Sequence, residues 1–531
     1  MNERLSLVGG EILEWSDLDP VSGPAAMSGP VAVPLLRSLI GGSDRVLVAG
    51  PHHLDVLTAL GASAGGLDLL VRSADDATAL AGKFPDAQVI CGGLDRVEAK
   101  PEYDVVIALD GITRLYGPDS NELTWQQSVE TLRRLVKPGG RLILAVSNNL
   151  GLDELISAAN TGLPTDDAWP RLVSAEPPSG LANLEKALGH KASYAVYPST
   201  TQPHLTVSAS LLTDHADDPL LQATIATAMD PAEAFTDPRH TVRDVLTNGL
   251  GLPLAPAWWF ILGAEATGLP AVLAAEPGAD DQPLVVSLDR QDERRWARRV
   301  VSGNPAPGRN LSGRNDVVVP PGALLEDRLL AACRVDDQEN LQALATAYVR
   351  WLAGQQQALI AVPDNVVVTP DNGFAVLDPA WQLKLSADAK VVAVRNLTRY
   401  AVRQLAAGVR SPWPAGARPE ELVARLAAGA GIECDQALFE AAAKLDAEVA
   451  AETGPRFAPA AEIPVPQGLR EAAAAITRLS AEIEDLRSQV SWLEVTVNRI
   501  RGSRTYRVGG MVLRPASKLR ALTRRIPGKG A

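Results

Sequence analysis

The chain has 531 residues, 46% of them apolar, and a formal net charge of −13. That length predicts two or three domains with sizeable cores, and the acidic balance argues against general nucleic-acid binding. Cys91, Cys333 and Cys434 are too far apart to suggest a disulfide framework or a zinc cluster, and they suit a reducing cytoplasm. Met1-Asn-Glu-Arg is not followed by an apolar run, so no signal peptide is expected. No stretch of about 20 apolar residues predicts a membrane span.

Residues 1–44 read as an N-terminal cap, with turn signals at Ser22-Gly-Pro and Ser28-Gly-Pro and a short helix over 33–40. From Arg45 to Asn149 short apolar runs alternate with helix-length segments. The runs are 46–49, 67–71, 88–91, 104–109 and 141–146, and the clearest helices are 75–84 and 125–136. Runs this short and this apolar are expected of strands buried on both faces. Strands alternating with helices predict a parallel sheet with right-handed crossovers, whose ligands bind beyond the carboxyl ends of the strands. Two further strands, 193–197 and 205–212, are expected to complete the sheet as an antiparallel hairpin. Asn148-Asn149, just past the fifth run, either faces a substrate or caps a turn opening a helix at 153–159.

Leu132-Arg-Arg-Leu-Val-Lys-Pro-Gly-Gly-Arg-Leu-Ile-Leu144 and Tyr103-Asp104-Val105-Val106 resemble the fifth- and fourth-strand regions of class I S-adenosylmethionine (SAM)-dependent methyltransferases. The resemblance covers 45–212 and implies a Rossmann-like domain. By it, Gly50, Pro51, His52, Arg72, Asp95 and Asp110 are the candidate SAM contacts. The family's glycine-rich loop lets backbone N–H groups approach the ligand, but here Pro51-His52-His53-Leu54 follows the single Gly50. Val48 stands where the first strand's acid is expected. Arg72 stands where the family carries the acid that accepts from both ribose hydroxyls, and a guanidinium has no acceptor. No general base is evident, and the catalytic residue is left unassigned.

Residues 213–460 read as a second α/β domain. Strands are expected at 258–262, 271–275 and 284–288, a loop at 304–322, a helix over 324–352, and helices at 391–407 and 419–451. Between the helices lies Asn365-Val-Val-Val-Thr-Pro-Asp-Asn-Gly-Phe-Ala-Val-Leu-Asp378, two short strands around a turn. It resembles the catalytic-loop region of kinase-like folds, where such an Asn and Asp hold Mg²⁺. If the domain is kinase-like, Asn365 and Asp378 are the metal ligands. Ile360 occupies the place of the catalytic Asp, and neither a glycine-rich loop nor a strand lysine is evident upstream, so Mg-ATP use is not expected and an inactive relative is favoured.

Residues 461–468 form a Pro-containing linker. Beyond it Ile476, Leu479, Ile483, Leu486, Val490, Leu493, Val497 and Ile500 repeat in steps of three and four. This predicts a coiled coil over 469–501, and β-branched residues at a with mostly leucine at d favour a parallel self-dimer. Residues 502–531 form a basic tail. From Val495 onward there are ten Lys/Arg and no acid, leaving −23 on the remainder. Leu519, Leu522 and Ile526 share one helical face, which suits an anionic membrane surface. Arg501-Gly-Ser-Arg-Thr-Tyr-Arg-Val-Gly509 resembles a motif that follows coiled coils in glycosyltransferases and methyltransferases of bacterial surface polysaccharide pathways. The layout as a whole resembles the methyltransferase–kinase proteins that end O-antigen chains.

Two functions fit. One is SAM-dependent O-methylation of a saccharide in bacterial cell-surface polysaccharide biosynthesis. The other is a catalytically inactive, methyltransferase-like dimeric scaffold that recruits glycosyltransferases to the membrane. Either is expected in the cytoplasm, peripheral at the inner membrane face, with no nucleic-acid partner.

Overall fold

In the computed structural model the described residues are 4–19, 25–117, 119–121, 123–156, 176–190, 192–229, 238–309, 314–406, 412–413 and 417–453, with 475–476, 478–480, 483 and 486–493 of a C-terminal helix. Sixteen strands occur among them: β1 Leu5–Gly9, β2 Arg45–Ala49, β3 Gly66–Val71, β4 Gln88–Gly92, β5 Tyr103–Ala108, β6 Val136–Ser147, β7 Ala192–Tyr197, β8 Leu205–Ser208, β9 Ala257–Gly263, β10 Val272–Pro277, β11 Pro283–Arg290, β12 Arg295–Ser302, β13 Arg314–Val318, β14 Ala323–Leu324, β15 Val366–Val368 and β16 Phe374–Val376. The first thirteen form one sheet in the order β1-β4-β3-β2-β5-β6-β9-β7-β8-β10-β11-β12-β13. From β1 to β6 every pairing is parallel. The fold is α/β and Rossmann-like, as expected.

Alternation along the parallel strands divides the core between the two faces of the sheet. On β2, Val46 and Val48 join the core under the helices Ala32–Arg37, Leu54–Gly61 and Ala74–Lys83. Leu47 and Ala49 join the opposite core, with Val129 and Leu132 of the helix Trp125–Leu135. The helix starts have local causes. The Ser73 hydroxyl accepts from the Asp76 N–H at 3.1 Å. Thr124 and Gln127 form a reciprocal capping box, which satisfies two donors that the first turn would leave orphaned.

The sheet departs from the expectation at its middle. The hairpin after residue 192 does not close it. Residues 205–208 are a strand, but Ala209–His215 is a helix. The strand beside β6 is β9, antiparallel to both β6 and β7. Trp258, Trp259, Phe260, Ile261 and Leu262 of β9 are all buried. A run that apolar gains about 1.5–3 kcal/mol per large side chain when both faces are covered. Burial therefore places it in mid-sheet rather than in a separate domain. Residue 212 is accordingly not a boundary of the sheet, and 1–465 forms one compact unit apart from 466–531.

Smaller corrections follow from local chemistry. Leader residues 5–9 form the edge strand β1, parallel to β4. Lys137-Pro138-Gly139-Gly140 turns as expected, with Gly139 at φ 83°, and it does so as a bulge inside β6, where the pairing with β5 jumps from Val136 to Arg141. A Cβ on Gly140 would stand 2.5 Å from the Asp104 carbonyl oxygen, so only glycine fits there. Part of the expected loop 304–322 is β13. The helices expected over 324–352 and 419–451 are each broken in two, giving Leu325–Arg334, Gln338–Leu352, Pro419–Ala428 and Gln436–Thr453. The breaks fall at Asp336, with φ 58°, and at Gly431, with φ 76°. Together with Ala389–Ala406 these helices build a third core around β15, including Leu329, Tyr348, Leu397 and Val423. β14, β15 and β16 form a small separate sheet, and the β15–β16 hairpin is where the sequence put it.

In the C-terminal unit the described residues between 475 and 493 are helical. Ile476, Leu479, Ile483, Leu486, Val490 and Leu493 are all 50–54% exposed, so the heptad seam is bare in the single chain. The linker 461–468, Val497, Ile500 and the tail 502–531 lie outside the described residues.

Candidate functional site

Strand order reverses between β2 and β5: β3 and β4 lie to one side, β6 to the other. Ligands of open parallel sheets bind in the crevice at such a switch point. Gly50 ends β2 with φ +90°, and a Cβ there would meet the Asp110 Cβ at 3.4 Å. Arg72 ends β3, and Asp110 follows β5. Gly50, Pro51, His52, Arg72 and Asp110 thus sit at the carboxyl ends of three adjacent strands, as the resemblance implies. Asp95 lies in the 3₁₀ turn after β4, and its Oδ2 is held locally. Its Oδ2 accepts from the Asn121 backbone N–H and from the Asn121 side-chain amide, both at 2.9 Å, and pairs with Arg96 at 3.1 Å.

The N-terminal leader lies across this crevice. Arg72 donates through Nε and Nη2 to the two carboxylate oxygens of Asp17, at 2.7 and 2.8 Å, and through Nη1 to the Tyr116 carbonyl at 3.0 Å. Asp17 is fixed in turn by the Trp15 indole at 3.0 Å, and its own N–H donates to Asp76 at 2.7 Å. The Ile12 N–H donates to the Arg72 carbonyl, and the Ala74 N–H donates to the Ile12 carbonyl. Farther along, Met27 pairs with the Gly50–His53 loop. Its N–H donates to the Pro51 carbonyl at 3.1 Å, and its carbonyl accepts from the His53 N–H at 2.8 Å. Gly10 packs so closely that a Cβ on Gly117 would strike its carbonyl oxygen.

The charges are buried and matched. Arg114 forks onto Asp110, with Nε to Oδ2 at 2.7 Å and Nη2 to Oδ1, while Nη2 also donates to the Ala25 carbonyl at 2.9 Å. Burial pushes the Asp110 carboxyl up to about 6 despite that partner. Burial also pushes the Asp17 carboxyl up, but the hydrogen bonds and charge of Arg72 outweigh it, and Asp17 stays below the ordinary carboxylate value. His52 is fully buried, which lowers its ring to about 4. Its Nδ1 donates to the Gly50 carbonyl at 3.0 Å, and its Nε2 is a buried atom without a hydrogen-bond partner.

In the Gly50–His53 loop the Gly50 N–H is committed to the Leu70 carbonyl and the His53 N–H to Met27, and Pro51 has no N–H. Arg72, just past the end of β3, is paired with Asp17. At the switch point, Ile12, Asp17, Ala25 and Met27 of the N-terminal leader are hydrogen-bonded to the residues of the strand ends. Asp17, Ala25, Met27 and Arg114 were missed from sequence. The signal was Arg72 itself, since a cation at a buried strand end must find an acceptor.

The second candidate region does bring Asn365 and Asp378 together, but each faces protein. The Asn365 amide Oδ1 accepts from the Asp378 N–H at 3.0 Å, and Nδ2 donates to the carbonyls of Ile360 and Asp378 at 3.0 and 3.3 Å. Asp378 accepts from the Ala380 N–H at 3.1 Å and from Arg298 Nη2 at 2.7 Å. Arg298, on β12, also pairs with Glu276 of β10 at 3.1 Å. Glu276 in turn holds Arg309, whose guanidinium lies 3.2 Å from the centre of the Trp381 ring. Among the described residues no three His, Cys, Asp or Glu side chains converge as metal ligands. Of the two roles left open for Asn148, the structure shows the turn cap: its Oδ1 accepts from the Leu150 N–H at 3.1 Å before the helix Leu152–Ile156, and its amide also donates to the carbonyls of Pro253 and Ala255, both at 2.9 Å.

No protein-family model and no curated protein matches the sequence. Solved structures match part of the chain. YcgJ of Bacillus subtilis is 13% identical over 22% of this chain and 50% of its own, with a TM-score of 0.19. The N-methyltransferase NodS of Bradyrhizobium japonicum WM9 is 10% identical over 30% and 79%, with a TM-score of 0.20. A TehB-like SAM-dependent methyltransferase of Corynebacterium glutamicum is 12% identical over 32% and 78%, with a TM-score of 0.22. The chain thus spans half the length of YcgJ. Likeness at this level concerns fold alone and carries nothing about chemistry.

Proposed function

We propose that this chain is a methyltransferase-fold protein whose cofactor crevice is closed by its own leader, and that it works as a non-catalytic scaffold. The single observation behind this reading is the buried two-point pairing of Asp17 with Arg72, at 2.7 and 2.8 Å, where a methyltransferase would hold the ribose. The scaffold is a parallel dimer through 469–501; the bare heptad seam supports this, because an apolar stripe half exposed in one helix is the surface a second helix buries. The basic tail of each protomer rests on the anionic inner face of the membrane, and two tails bind together more tightly than one. Its cargo is a glycosyltransferase of bacterial surface polysaccharide assembly, a role supported by the 501–509 motif.

Calorimetry of the full chain with SAM tests the core of this reading. No heat and no thermal shift at millimolar SAM is expected, and micromolar binding would refute it. Light scattering of Leu486→Asp should give a monomer where the parent gives a dimer. Liposome flotation should be lost with residues 502–531 deleted, and undiminished flotation would remove the membrane role. The alternative, SAM-dependent O-methylation of a saccharide, is favoured by the retained switch-point crevice and the left-handed Gly50 that ends β2. It requires the leader to leave.

A further inference from the structure

Two guanidinium groups stand at the switch-point crevice, and the leader supplies an acceptor to each. Asp17 gives Arg72 a carboxylate and Ala25 gives Arg114 a backbone carbonyl. Asp17 is 55 residues from Arg72 in sequence, in the stretch between the edge strand β1 and the buried Met27. The guanidinium fork that holds its two oxygens fits any carboxylate or phosphoryl group equally well. With Asp17 withdrawn, Arg72 keeps the Tyr116 carbonyl but loses its carboxylate, while Arg114 stays paired with Asp110. His52 adds a second requirement. Its Nδ1 donates to Gly50, which makes Nε2 an acceptor, and that buried acceptor has no partner.

We infer that the crevice beneath the leader is a binding site for a hydroxylated anion, whose phosphoryl or carboxylate oxygens replace Asp17 on Arg72 and displace the leader. This rests on the reading of the leader as the element that closes the crevice. The ligand's oxygens take the two Arg72 N–H donors that Asp17 now holds, and its hydroxyl supplies a donor of the kind that His52 Nε2 lacks. No bond to the ligand is made or broken. Asp17 acts as an internal competitor, so the apparent affinity is the intrinsic affinity reduced by the fraction of molecules with the leader open.

The test is hydrogen exchange and binding on the full-length chain with four probes: inorganic phosphate, glucose 1-phosphate, malonate and SAM. In the parent, glucose 1-phosphate should speed exchange at the Asp17, Leu18 and Met27 amides and leave the β2–β6 amides protected. Asp17→Asn, which keeps the shape but removes the charge, should bind it about tenfold more tightly, and Arg72→Gln should not bind it. Phosphate active with malonate inert assigns a phosphoryl ligand, and the reverse assigns a carboxylate; either supports the site. Equal binding by the parent and Arg72→Gln would overturn it. If Arg72→Gln fails to keep its β2–β6 protection, the comparison of the parent with Asp17→Asn still decides. All four probes inert would overturn the inference and leave the scaffold reading standing. SAM alone active, with leader release, would overturn both.

Discussion

The crevice at the ends of β2, β3 and β5 and the hairpin site at Asn365–Asp378 are closed in different ways. Each lies where a family resemblance implies a ligand, and in each an arginine takes a carboxylate of the same chain. At the crevice the carboxylate comes from the leader. Arg72 and Asp17 keep 12% and 5% side-chain exposure, and the contacts around them are largely backbone hydrogen bonds. At the hairpin Arg298 and Asp378 keep 2% and 1%, and Glu276, Arg309 and Trp381 surround them. A closure made by a peripheral segment can open without unfolding the protein. A closure made between β12 and the hairpin of the third core cannot, because opening would strand charges in the interior. The difference marks the crevice as the place where a ligand could still act.

The largest expected effect tests that contrast. Arg298→Ala removes the guanidinium that Asp378 and Glu276 share, leaving Glu276 with Arg309, and should cost about 3–5 kcal/mol in denaturant unfolding. Replacing Arg298 and Asp378 together with apolar residues should recover most of it, because an absent pair costs less than half a pair. Loss no larger than that of an exposed pair would show that the hairpin site is not locked.

The next effect is a pH dependence at the crevice. The His52 ring is held near 4 by burial, below its ordinary 6.5. Below pH 6.5 the unfolded chain takes a proton that the folded chain refuses, so this contribution is present above pH 6.5 and lost as pH falls toward 4. A shift of that size corresponds to about 3 kcal/mol. Asp110, raised to about 6, works in the opposite direction: the folded chain takes up its proton first, and stability is gained as pH falls from 6 to 4. Comparing the parent with His52→Leu leaves Asp110 in both. The stability difference between them should move toward the variant from pH 7 to pH 4, and a flat difference would mean that His52 is not buried as described.

Asp17→Ala should cost about 1–3 kcal/mol, the price of a charged group left short of a partner, and should open 10–18 to proteolysis while the sheet stays intact. A fully protected leader in that variant would break the comparison with the hairpin site. The smallest effect is expected at Lys137–Asp104, a pair at 2.9 Å whose side chains are 41% and 34% exposed. Lys137→Ala should change thermal stability by less than about 1 kcal/mol. It sets the scale against which the two buried pairs are read.

Sequence alone determined the elements whose cause is local. The five apolar runs became β2 to β6 because a strand buried on both faces needs a continuous apolar stretch, and the helices between them begin at caps written within four residues. The Thr369–Gly373 turn fixed the β15–β16 hairpin, and the heptad seam is visible in spacing alone. The helix breaks at Asp336 and Gly431 were harder to read, since helical periodicity runs on through them. Only the tertiary structure decided that β9 enters the sheet between β6 and β7, that Asp17 reaches Arg72 across 55 residues, and that Arg298 reaches Asp378 across 80. Such pairings depend on which surfaces meet after packing, and they leave no period or turn signature in the chain. The candidate positions at the strand ends could therefore be named from sequence, whereas what fills the crevice between them could not.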